Sequence, residues 1–151
     1  GGEAGPVVDL RGYLDGGQRE GLGRLLRKTE ELTGYRVRVL TDRFPAGRAV
    51  ADLQDRWQKA DGTIVVLADE QLLKRGSSPS FVRFDLSADV KFALPTRFWG
   101  MMRNVYGSAG YVEAFGPGAA LNVLVRNICA CLVRRLCTDG RPLPESEVST
   151  T

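Results

Sequence analysis

A chain of 151 residues, 43% hydrophobic and 26% charged, suffices for one domain with a sizeable core and is too apolar to be disordered. Lys plus Arg number 21 against 18 Asp plus Glu, and the resulting +3 is too weak a bias to imply a nucleic-acid partner. Histidine is absent, which removes every Ser-His, Cys-His and zinc-His mechanism, and no apolar run approaches the roughly 18 residues of a membrane span.

Taken in chain order, Pro6 to Leu10 reads as a short extended piece. Asp15 is placed to cap a helix running to about Leu32, with Leu22, Leu25, Leu26, Thr29 and Leu32 at helical spacing and Gly34 as its stop. Gly21 and Gly23 weaken the first turns. Tyr35 to Thr41 alternates, Tyr35, Val37 and Val39 against Arg36 and Arg38, which is a strand with one polar face. Phe44-Pro45-Ala46-Gly47 reads as a loop, and Val50, Leu53, Trp57 and Ala60 define a second amphipathic helix. Gly62 to Ala68 is apolar and β-branched without a break, as expected of a central strand covered on both faces. Gly76-Ser77-Ser78-Pro79 marks a turn, and Phe81 to Leu86 alternates as its hairpin partner. A helix with Phe98, Met101, Met102 and Val105 on one stripe runs from Pro95 to Gly107. A last helix, opened by Gly116-Pro117, carries Leu121, Leu124, Val125, Ile128 and Leu132.

The order β-α-β-α-β-β-α-α predicts an α/β three-layer sandwich, its sheet mostly parallel with one antiparallel hairpin strand. Residues 1–6 read as a disordered or trimmed end and 7–137 as the α/β domain. Residues 138–151, rich in Pro, Glu, Ser and Thr, read as a flexible tail or linker. Cys129, Cys131 and Cys137 share one apolar segment. Cys129 and Cys131 lie about 200° apart on a helix, so the three are read as small buried hydrophobes rather than a redox site.

Ligands of open α/β sheets bind beyond the carboxyl ends of the strands. Asp9, Asp42, Asp69 and Glu70 stand there, and such carboxylates are the oxygen donors that calcium takes; the plainer reading makes them turn and capping residues. No GxGxxG, Walker A, GxSxG or HExxH motif is present, so no catalytic residues are assigned. Six of the twelve aromatics fall between Phe92 and Phe115. Within that stretch Trp99, Arg103 and Tyr106 lie off the apolar stripe, in a combination common at protein interfaces. Arg36 and Arg38 share a strand face, as at a solvated edge or a site for an acidic partner.

Val7-Val8-Asp9 followed by Gly12-Tyr13-Leu14 resembles the opening of TPM domains. The resemblance continues through Thr33-Gly34, the helix carrying Trp57, the strand entered by Asp61-Gly62-Thr63-Ile64-Val65-Val66, and Ala114-Phe115 before the last helix. It covers roughly Val7 to Leu136. It implies a chloroplast thylakoid protein, lumenal or membrane-associated. Such a protein would act as a non-catalytic accessory factor in assembling, maintaining or repairing a photosynthetic complex such as photosystem II, with a protein of that complex as partner. The alternative that it implies is a calcium-dependent acid phosphatase. The chain departs from the family at Leu10, where the second Asp of the opening pair is expected, and at Asp61-Gly62, which lacks the usual Asn. The loss of one acid argues against metal binding and, with it, against phosphatase activity.

Overall fold

Every position of Thr63–Ala68 (β3) is buried, as its unbroken apolar run requires of an interior strand. The computed structural model describes residues 5–44, 48–58 and 60–148; Pro45-Ala46-Gly47, the first four residues and the last three lie outside them, as does the side chain of Val50. The sheet has four strands in the order β1 (Val7–Asp9), β2 (Arg36–Thr41), β3, β4 (Val82–Leu86). The first three are parallel, with Val7 opposite Val39 and Arg36 opposite Thr63. The fourth runs antiparallel to β3, with Ile64 opposite Leu86.

Strand alternation sorts the core into two layers. Val37 and Val39 of β2 and Ile64, Val66 and Ala68 of β3 face one way. They meet Leu22 and Leu26 of α1 (Gly16–Thr33), Phe98 and Met102 of α3 (Thr96–Val105), and Leu121, Leu124 and Ile128 of α5 (Pro117–Arg134). Leu40, Val65 and Leu67 face the other way, against Phe44, Leu72 and Trp57 of α2 (Arg48–Gln58). The sandwich has three layers, as expected.

The ends of α1 follow from local chemistry. The Asp15 carboxylate accepts from the Gln18 N–H (2.7 Å) and the Gln18 side chain accepts from the Asp15 N–H (3.0 Å), a reciprocal cap that fixes the start despite Gly21 and Gly23. Gly34 stops the helix at φ 81°, where a side chain would be strained.

Between the two expected final helices stands a third, α4 (Ala109–Phe115), capped by Ser108, whose hydroxyl accepts from the Tyr111 N–H. Among the described residues no single helix is long and apolar enough to cross a membrane.

Two further expectations are corrected. The cysteines are not three packed thiols: Cys131 and Cys137 are disulfide-bonded, their Cα atoms 5.6 Å apart, and only Cys129 is free and buried. The chain reverses at Arg135 and Cys137, both in the left-handed region, and so returns Cys137 to the last turn of α5. The stretch after it is not loose through Val148, because Leu143 and Val148 are both buried in the main core.

Candidate functional site

The three parallel strands end at Asp9, Thr41 and Ala68-Asp69, and the loop from Leu10 to Asp15 passes over them. Asp9 organises that loop. One carboxylate oxygen accepts from the Tyr13 N–H (3.1 Å) and the Thr41 hydroxyl (2.5 Å), the other from the Leu14 N–H (2.8 Å). The Thr41 hydroxyl accepts in turn from the Arg11 N–H (3.0 Å).

Asp69, fully buried, accepts from the backbone N–H groups of Phe44 (3.0 Å) and Gln71 (3.2 Å), and the Arg11 guanidinium stands 3.5 Å from it. Tyr13 ties the two halves together. Its hydroxyl donates to Asp69 (3.5 Å) and accepts from the Glu70 N–H (3.0 Å), while its ring packs on Phe81. Burial, first of several causes, pushes the Tyr13 phenol above its ordinary pKa.

Of the four expected metal ligands, Asp9 and Asp69 therefore join the same hydrogen-bonded knot, both oxygens of each engaged by protein donors. Asp42 is half-buried and the Glu70 side chain is exposed. Among the described residues no three acidic or cysteine side chains gather as a metal-holding group. A carboxylate whose oxygens hold backbone N–H groups fixes a loop, and it would have to give them up to take a cation.

The aromatic surface expected on α3 is interior. Trp99 is 6% exposed and lies between Phe84 of β4 and Phe98, with ring centroids 4.9 and 5.0 Å away. Tyr106 is buried and donates its hydroxyl to the Leu143 carbonyl (2.8 Å). Arg103 is half-buried and donates to the Ser78 carbonyl. Counting one helical stripe missed this, because β4 and the C-terminal segment cover two further sides of α3.

Arg36 and Arg38 do remain at a surface. They lie at the amino end of β2, on the face that α2 covers, beside Glu30 of α1 at 3.8 and 3.1 Å. With Arg27, Arg56 and Trp57 they line a groove of about 910 Å³ at the end of the sheet opposite the acidic knot. The neighbouring pair Arg56-Trp57 is its sequence signal, masked because Trp57 also completes the apolar stripe of its helix.

Fold and site together define an α/β sandwich domain with internally satisfied strand-end carboxylates and a basic groove at the other end. No protein-family model matches the chain. Its sequence is 30% identical over 129 residues to thylakoid lumenal 15.0 kDa protein 2, a chloroplast protein of Arabidopsis thaliana. That match takes in 83% of this chain but 53% of the relative, so the chain spans about half of that protein's length. The similarity supports a chloroplast thylakoid location for this chain. The solution NMR structure of the N-terminal domain of a protein from P. gingivalis aligns with a TM-score of 0.62, over 91% of this chain and 85% of that one. At 16% identity this is a likeness of fold alone.

Proposed function

We propose that this chain is a TPM-type domain of the thylakoid lumen, and a non-catalytic accessory factor in assembly, maintenance or repair of a photosynthetic membrane complex, photosystem II foremost. The observation that carries the reading is the Asp9 carboxylate, committed to the Tyr13 and Leu14 N–H groups and the Thr41 hydroxyl. Beside it Leu10, 58% exposed, offers no oxygen where the TPM signature has its second acid. Asp9 and Asp69, two of the four residues that read as phosphatase ligands, act instead as fastenings of the loops around them. The similarity to a thylakoid lumenal protein supports the location and the accessory role. Partner binding then falls to Arg36 and Arg38, since Trp99 and Tyr106 are core residues.

Calcium calorimetry, a phosphatase assay, and native-gel co-migration of the tagged chain with solubilised thylakoid complexes test this together. The expected outcome is no saturable calcium heat, no turnover above the blank, and co-migration with a photosynthetic complex. Calcium-stimulated turnover that disappears in Asp9→Asn would establish the phosphatase instead, with Asp9, Asp42, Asp69 and Glu70 as its metal ligands.

A further inference from the structure

We infer that the groove beside the first half of β2 binds an extended acidic segment of a partner protein. This rests on the accessory-domain reading and adds the place and the chemistry of recognition.

β1 begins opposite Val39, whose N–H donates to the Pro6 carbonyl (2.8 Å), so among the described residues Arg36 to Arg38 have β3 on one side and no paired strand on the other, where Gly5 and Pro6 line the groove. Val37 directs its peptide groups to that side, as Val39 does two residues on. Its carbonyl there is met by the Arg38 guanidinium (3.2 Å).

Charge and shape select the occupant. Arg27, Arg36, Arg38 and Arg56 line the groove against Glu30 and Glu31. Glu30 partly neutralises Arg36 and Arg38, and among the described residues no ion pair reaches Arg27 or Arg56. Arg36 and Arg38 are two strand positions apart, about 7 Å, which is the distance between alternate side chains of an extended peptide. Half-buried Trp57 and Leu53 add apolar lining to the groove. An acidic segment with apolar residues interleaved fits both features. The chain's overall charge of +3 is too weak to hold a continuous phosphate backbone, and a flat bilayer does not enter a concavity of about 910 Å³.

The test titrates the full chain with a capped synthetic peptide, Glu-Leu-Glu-Phe-Glu-Leu-Glu, read by calorimetry and by tryptophan fluorescence. Trp57 lines the groove whereas Trp99 is interior. Saturable binding is expected, weakened at least about tenfold by Arg36→Glu or Arg56→Glu and by replacing each Glu of the peptide with Gln. Lys74→Glu, an equal charge change at an exposed position elsewhere, should leave it within about twofold. Equal binding of the Gln peptide, or equal loss in Lys74→Glu, overturns the proposal. So does capture of the chain by anionic phosphatidylglycerol vesicles with no response to the peptide. The co-migration experiment separates the two readings. A chain that binds the peptide but joins no thylakoid complex keeps the groove and loses the accessory role. One that joins a complex but ignores the peptide loses the groove alone.

Discussion

Asn127 of α5 meets the backbone of Leu143 with both ends of its amide. Its NH₂ group donates to the Leu143 carbonyl (2.7 Å) and its carbonyl oxygen accepts from the Leu143 N–H (3.1 Å). The Tyr106 hydroxyl shares that carbonyl (2.8 Å), so one fully buried Asn and one Tyr satisfy a strand-like segment that has no strand beside it. Asn127→Ala leaves the Leu143 carbonyl to Tyr106 alone and the Leu143 N–H buried without a partner. Urea unfolding should show a loss of about 2–3 kcal/mol. A loss under about 0.5 kcal/mol, the usual range for a surface substitution, would mean that the segment is anchored elsewhere.

The disulfide anchors the start of the same segment, one helical turn along α5 from Asn127. Cys131 and Cys137 close a short loop, for which the chain-entropy relation gives about 2 kcal/mol. Adding a dithiol reductant, or substituting Cys131→Ser with Cys137→Ser, should lower the melting temperature accordingly. Cys129 should stay silent throughout. It is buried, and burial pushes its thiol pKa up to about 11, leaving almost no thiolate at neutral pH. A thiol reagent should label no cysteine in the native protein, one after denaturation, and all three after denaturation with reductant.

How much of this was legible in the sequence depended on the range of the interactions. β3 announced itself by five apolar residues in a row, and α1 by Asp15 and Gly34, because run, cap and stop are local. α4 was hidden because seven residues are too few to display a helical period, and its cap, Ser108, resembles any turn serine. The disulfide was hidden because it depends on two left-handed residues, Arg135 and Cys137, that composition does not mark. Leu32 and Val105 completed helical stripes on paper yet are 58% and 43% exposed, since a stripe specifies a face but not where the facing layer stops. At the strand ends the acids were correctly placed by the parallel topology. Their hydrogen-bond partners came from the Leu10–Asp15 loop and the 42–44 turn, and no period predicts those.

Trp99 shows the same limit in energetic terms. Packed between Phe84 and Phe98, it belongs to the large core layer, and truncation would open a cavity where β4 meets α3. Trp99→Ala should therefore cost about 3–5 kcal/mol of unfolding free energy. Under conditions where the variant stays folded, peptide binding in the groove should not change, because Trp99 and the Arg36 groove do not share lining residues. Loss of binding with an unchanged melt would put Trp99 back at an interface.

The aromatic ladder beside the C-terminal segment sets the alkaline limit of stability. Tyr111 packs between Tyr106, edge-on, and Phe115, tilted, with ring centroids 5.5 and 4.6 Å away. Burial first, and then the neighbouring Glu145 carboxylate, push its phenol up to about 12. Tyr106 shifts the same way, again chiefly through burial. An unfolded tyrosine ionises near pH 10. Below that value both states keep their phenol protons, and the stabilisation is fully present. Between about 10 and about 12 the unfolded chain releases protons that the folded chain retains, so it binds fewer of them and stability falls as pH rises. The unfolding free energy should begin to decline near pH 9, where the unfolded Cys129 thiol ionises and the buried one does not, and fall more steeply above about pH 10 as the tyrosines join. Tyr111→Phe should shallow the decline, because phenylalanine has no proton to lose. Ultraviolet titration of tyrosinate in the native protein should show a corresponding late-ionising fraction that the variant reduces. If Tyr111 ionises near pH 10 in the folded chain, its burial against Tyr106 and Glu145 does not hold in solution.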